Sequence, residues 1–195
     1  REELIQIKNK YSGPRRSEIT VDDSDLNIAD LIPRHSCVIT VSNTGYIKRV
    51  PSDTYRTQHR GGKGIIGMET KEEDYVEHLF NADSHDLIFF FTDRGFMYWL
   101  NVYEIPEGSR TGKGKAIVNM IKVEPGEKIC AMLTVSPDEF DDPNKYIVMA
   151  SRGGYIKKSE LALFKNLRRV GLRALVIEED DDLIGAGISE NGNEI

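Results

Sequence analysis

The chain has 195 residues, of which 39% are hydrophobic, 30% charged and 8% aromatic, with a formal net charge of −6. That length supports one domain, or a domain with an arm, that folds without disulfides or metals. Concentrated apolar runs such as Leu87–Phe91 exclude a disordered class, and no stretch reaches the roughly 18 apolar residues of a membrane-spanning helix.

In chain order, Arg1–Lys10 places Leu4 and Ile7 at helical spacing and predicts a short helix that Gly13-Pro14 stops. The first residues, Arg1-Glu2-Glu3-Leu4, form no apolar leader and give no sign of secretion. Residues 14–30 read as a polar connector. Cys37 and Cys130 lie in apolar surroundings without metal spacing, and are expected to be buried free thiols of a cytosolic protein.

Beyond the connector the chain repeats itself. Val38-Ile39-Thr40-Val41-Ser42-Asn43-Thr44-Gly45-Tyr46-Ile47-Lys48 returns as Phe89-Phe90-Phe91-Thr92-Asp93-Arg94-Gly95-Phe96-Met97-Tyr98, and again as Val148-Met149-Ala150-Ser151-Arg152-Gly153-Gly154-Tyr155-Ile156-Lys157. Each copy reads as two short strands joined by a tight turn. An offset of 50 carries Gly45 to Gly95, Arg60 to Arg110, Gly62 to Gly112, Lys63 to Lys113 and Gly64 to Gly114. An offset of 59 carries Gly95 to Gly154, Arg110 to Arg169 and Gly112 to Gly171, with the nine extra residues expected in a Pro- and Asp-rich loop at Ser136–Lys145. A period of 40–50 residues with several short strands predicts an all-β, propeller-like fold. Each blade is expected to keep its own core.

Charge follows the same period. Residues 34–64 carry +5, 65–93 carry −7, 94–122 carry +3, 123–147 carry −4, 148–173 carry +6 and 174–195 carry −7. Equivalent segments stack in a repeat architecture, so the alternation predicts a basic stripe and an acidic one.

The densest chemistry is Gln58-His59-Arg60-Gly61-Gly62-Lys63-Gly64. Its glycines let backbone N–H groups approach an anion, while Arg60 and Lys63 supply charge. Neither this stretch nor Gly108-Ser109-Arg110-Thr111-Gly112-Lys113-Gly114 fits a nucleotide-binding Walker loop. The stretch resembles the glycine-rich box in the C-terminal domain of the bacterial DNA gyrase A subunit. Supporting positions are Arg15-Arg16-Ser17-Glu18-Ile19, Asp30-Leu31-Ile32-Pro33, Tyr103-Glu104-Ile105-Pro106 with Ser109-Arg110-Thr111, and Lys157-Lys158 with Leu161. His59 departs from the family's usual Arg or Lys.

The resemblance implies a β-pinwheel of six blades that exchange strands. About three are present here, after a helix end and linker at 1–30: blades at 31–86, 87–145 and 146–195, the last incomplete. It implies that duplex DNA wraps without sequence specificity around a basic edge. The box Gln58, His59, Arg60, Gly61, Gly62, Lys63 and Gly64 is then DNA-binding, as are the edge residues Lys48, Arg49, Arg56, Arg110, Lys113, Lys115, Lys157, Lys158, Arg168, Arg169 and Arg173.

The family's partners are the gyrase B subunit and a second A subunit, in the bacterial cytoplasm. Its ATP and Mg2+ serve the B subunit and the catalytic core, so this fragment is expected to hold no cofactor, metal or catalytic residue. The equivalent domain of topoisomerase IV and a protein-binding propeller are the rival readings.

Other residues are assigned to structure. Trp99, Tyr98, Tyr103 and Tyr155 are expected to pack, His35, His78 and His85 form no ligand set, and Glu178–Asp182 reads as a solvated turn. The segment Glu178–Ile195 is expected to be the least ordered, or to pair with another molecule.

Overall fold

A computed structural model describes residues 1–13, 28–55, 74–166, 170–190 and 192. It divides into two units, Arg1–Leu31 and Ile32–Ile195. The first holds helix α1 (Glu2–Tyr11), whose acidic first turn (Glu2, Glu3) and basic last turn (Lys8, Lys10) complement the helix dipole. None of the residues of α1 is buried.

The second unit is all-antiparallel β. Strands β1 (Ser36–Ser42) and β2 (Tyr46–Pro51) form the first hairpin, β4 (Leu87–Thr92) and β5 (Phe96–Asn101) the second, and β8 (Lys145–Ser151) and β9 (Ile156–Glu160) the third. The repeated Ser/Thr-x-x-Gly-aromatic pattern acts through one local mechanism. Gly45, Gly95 and Gly154 take positive φ of 81°, 78° and 88°, which closes the turn. The buried hydroxyls of Ser42, Thr92 and Ser151 each accept from the N–H of the aromatic residue four positions on, at 3.3, 3.3 and 3.2 Å.

Each hairpin is widened by strands from elsewhere in the chain. β3 (Val76–Asp83) pairs with β1, β7 (Ile129–Val135) with β4, and β11 (Leu183–Glu190) with β8. On the opposite edge, β6 (Lys115–Ala116) crosses from beyond the second hairpin to pair with β2, and β10 (Leu172–Arg173) from beyond the third to pair with β5. The sheets are therefore β3-β1-β2-β6, β7-β4-β5-β10 and β11-β8-β9. The expected strand exchange is present, and a blade is not one contiguous segment.

These pairings correct the sequence register. Lys115 faces Ile47 and Leu172 faces Met97, while Ile117 N–H donates to Gly45 O and Ala174 N–H to Gly95 O, both at 2.9 Å. Gly171 therefore matches Gly114 rather than Gly112, because the stretch after the third hairpin is two residues shorter. The segment Ser136–Lys145 is more than a loop: its 3-10 turn Pro137–Asp141, boxed by Ser136 and Glu139, buries Phe140.

The acidic end segment is corrected too. Its residues Leu183–Glu190 form an ordered strand along β8 of the same chain, from Leu183 against Ser151 to Glu190 against Lys145, while 191 and 193–195 lie outside the described residues.

The apolar cores lie between sheets, not one within each blade as expected. Successive side chains of a strand point to opposite faces. Ile88 and Phe90 of β4 therefore join Ile39, Val41 and Ile47 of the first sheet. Phe89 and Phe91 join Ile147 and Met149 of the third. All four of these β4 side chains are fully buried, which is why the run 87–91 is continuously apolar.

Trp99 is half-buried against the second core, as expected of a packing residue. Tyr98 is buried, with its hydroxyl donating to Glu127 at 3.2 Å. Tyr155, expected to pack, is 62% exposed. Both cysteines are free; Cys37 is buried as expected, whereas Cys130 is only half-buried, and desolvation pushes both thiols up to about 11.

Candidate nucleic-acid interface

The box Gln58–Gly64 and the edge residues Arg56, Arg168 and Arg169 lie outside the described residues. The remaining edge candidates fall into distinct environments.

Lys48 is a correction. It is fully buried on β2, with its amine donating to the carbonyls of Ser109 (2.9 Å) and Arg110 (2.5 Å). A buried ammonium must be hydrogen-bonded within the protein, and these carbonyls claim it. Arg49 is also engaged inside the fold. Its Nε donates to Ile105 O at 2.8 Å, and its Nη1 lies 3.2 Å from Glu107 Oε2 and 3.2 Å from His35 Nε2. Neither is a free cation on an edge.

The segment 107–116 lies along the β2 edge of the first sheet and carries Arg110, Lys113 and Lys115. Arg110 and Lys115 are exposed. Lys113 is half-buried, its amine 4.3 Å from the centre of the Tyr46 ring. The equivalent aromatic of the second sheet, Phe96, is covered from β10 by Arg173, at 5.1 Å. Lys157 of β9 donates to Ala174 O at 2.7 Å, which brings it beside Arg173. Lys158 sits 4.2 Å from the Tyr146 ring centre. The structure thus groups Arg110 with Lys113 and Lys115 along one sheet edge, and Lys157 with Arg173 along the next. In each group one cationic head lies over an aromatic ring, Lys113 over Tyr46 and Arg173 over Phe96.

The hairpin-turn ends carry the opposite sign. A groove of about 580 Å³ beside the second and third turns gathers Asp93, Glu124, Glu127, Glu178, Glu179, Asp181 and Asp182, with Arg94 and Arg173 at its walls. Some of these acids brace the turns. Asp181 accepts from Gly153 N–H at 2.7 Å, and a hydrogen bond from Ser151, with others from the backbone, holds its carboxyl below the usual range. In the first sheet the same role falls to Asp74, which accepts from Thr44 Oγ1 at 2.6 Å and Thr44 N–H at 3.0 Å. The run Glu178–Asp182 is therefore partly structural. Among the described residues no group of three or more His, Cys, Asp or Glu side chains is arranged to hold a metal ion. Among them, too, no helix is long and apolar enough to cross a membrane.

Sequence reasoning missed two contributors. The carbonyls of Ser109 and Arg110 carry no residue-type signal, and Glu127 is recognisable only once Asp74, Glu127 and Asp181 are seen to occupy one structural position.

Antiparallel sheets repeated along the chain, exchanging edge strands and packed face to face, with cationic residues along two edges, define a propeller-type repeat domain. The family model described as "DNA gyrase C-terminal domain, beta-propeller" matches residues 38–83, 86–136 and 145–190, and the chain belongs to that family. It is 43% identical over 191 residues to the DNA gyrase A subunit of Campylobacter fetus, covering 98% of this chain and 22% of that protein. It is 45% identical over 186 residues to the DNA gyrase A subunit of Campylobacter jejuni, covering 95% and 21%. The chain thus spans about a fifth of the length of these curated relatives.

Among solved structures, the C-terminal domain of DNA topoisomerase IV superposes with a TM-score of 0.67 at 23% identity, over 81% of this chain and 47% of that one. A DNA gyrase A C-terminal domain gives 0.61 at 24% identity, over 80% and 49%. These two likenesses speak to the fold alone.

Proposed function

We propose that this domain binds duplex DNA through its phosphates, without reading sequence, and wraps it along the cationic sheet edges as part of a gyrase A subunit. The observation that carries this reading is identity of more than 40% along nearly the whole chain to proteins named as the DNA gyrase A subunit, joined to an intact Arg60-Gly61-Gly62-Lys63-Gly64. The work is mechanical. Bending 20–30 base pairs through 40–90° costs on the order of 1–6 kcal/mol, and distributed Lys and Arg contacts that release counterions offset that cost. The curved duplex is then presented to a catalytic core for ATP-dependent strand passage and negative supercoiling.

The gyrase B subunit and a second A subunit are the proposed partners, and the bacterial cytoplasm the proposed location. ATP and Mg2+ belong to those partners and the core, and this chain supplies binding alone. A topoisomerase IV role would draw on fold likeness at 23% identity, whereas the box and the closer relatives favour gyrase.

The test is Arg60→Ala combined with Lys63→Ala. Topology-shift assays on relaxed plasmid are expected to lose wrapping while circular dichroism stays unchanged. Unchanged wrapping in the folded double variant overturns the role of the box.

A further inference from the structure

Lys48 is buried beneath a loop that it does not belong to. Its stem runs between two glycines: a Cβ on Gly108 would lie 3.3 Å from Lys48 Cδ, and one on Gly114 would lie 3.1 Å from Lys48 Cβ. Its amine draws the carbonyls of Ser109 and Arg110 inward. The carbonyl and the following N–H of a trans peptide point in opposite directions, and the chain has no cis bonds. The N–H groups of Arg110 and Thr111 therefore face away from Lys48, toward the outside of the loop. Gly112 N–H closes the turn by donating to Ser109 O and Ser109 Oγ, both at 3.1 Å. Among the described residues neither the Arg110 nor the Thr111 N–H has a hydrogen-bond acceptor. Successive backbone N–H groups turned to one side of a tight loop bind anions, and the same loop carries the exposed Arg110, with Lys113 and Lys115 following.

We infer that Ser109–Lys115 forms a seat for one phosphate group, with the Arg110 and Thr111 N–H groups as its donors and Lys48 as the positioning residue that holds the loop from below. This deepens the DNA-binding reading and rests on it for the identity of the phosphate as a backbone diester. The seat belongs to the first sheet. At the positions equivalent to Lys48, among the described residues, the Tyr98 hydroxyl donates to Glu127 and the Lys157 amine to Ala174 O alone.

The test is amide NMR on the whole 195-residue chain, titrated first with inorganic phosphate and then with a duplex of about 40 base pairs, enough for several phosphate contacts. The Arg110 and Thr111 amide signals are expected to move with both probes. In Lys48→Met, which keeps the stem and removes the amine, those movements are expected to vanish. The slope of log duplex affinity against log salt should become shallower by about 0.9, the mark of one lost phosphate contact.

Amides that stay still with both probes overturn the seat, and this arm needs no variant. Movement with inorganic phosphate in a chain that binds no duplex supports the seat and contradicts the DNA reading. A folded Lys48→Met chain with the wild-type slope and wild-type amide movements overturns the role of Lys48.

Discussion

A Cβ built on Gly114 would stand 2.5 Å from the carbonyl oxygen of Ile47, and Gly114 itself has a φ of 81°. This contact lets β6 dock on β2 and carry Lys113 and Lys115 onto the edge of the first sheet. Gly171 does the same for β10, with a φ of 85° and a Cβ position 2.7 Å from the Tyr98 ring. Gly45 also has positive φ, but nothing lies within 4 Å of its Cβ position.

Gly114→Ala is therefore expected to cost more than Gly45→Ala. The strained backbone alone is worth about 1–3 kcal/mol in either variant, and only Gly114→Ala adds a collision with backbone. Thermal melts should rank wild type above Gly45→Ala and Gly45→Ala above Gly114→Ala, at about 2–4 °C per kcal/mol. Equal losses would show that β6 does not need the close approach.

Neighbouring phenylalanines of β4 serve different cores. Truncating a buried Phe to Ala costs about 3–5 kcal/mol. Phe90→Ala is expected to speed hydrogen exchange first in β1 and β2, and Phe89→Ala first in β8 and β9. The same exchange pattern from both variants would contradict two separate inter-sheet cores.

Asp74 links acid stability to the first turn. Burial pushes its carboxyl up, but hydrogen bonds from Thr44, Ser42 and the Tyr75 backbone outweigh that and leave it below the ordinary aspartate range. A carboxyl lowered on folding contributes stability that is fully present above its unfolded value and is lost as pH falls through the folded one. Asp74→Asn should therefore have a lower urea midpoint than wild type at pH 7, with the gap closing as the pH falls through about 4 and below, where unfolded aspartate titrates. A gap that stays constant down to pH 2 would remove Asp74 from the acid response.

The hairpins were legible because their determinants are local: a hydroxyl, a glycine and an aromatic residue within five positions. The crossing strands were not, because β6 and β10 are two residues long and leave no alternating pattern. Their register depended on which glycine meets a neighbouring strand, so counting from the hairpins placed Gly171 two positions off.

The candidate site divides in the same way. Arg110, Lys113, Lys115, Lys157 and Arg173, named for the basic edge that the resemblance implies, lie on exposed or half-buried sheet edges. Lys48 was misassigned, because a lysine that caps two backbone carbonyls looks in sequence like any exposed cation. The alternation of charge reappears in part as cationic sheet edges and an acidic groove at the turns.

Phosphate-led binding of duplex DNA is tested most directly by a salt titration of the 195-residue chain on two duplexes of equal length and composition, one with its sequence scrambled. Log affinity should fall linearly with log salt at a slope of about −0.9 for each phosphate neutralised, several such contacts should be counted, and the two duplexes should give the same line. A flat salt response, or a strong preference for one of the two sequences, would contradict it.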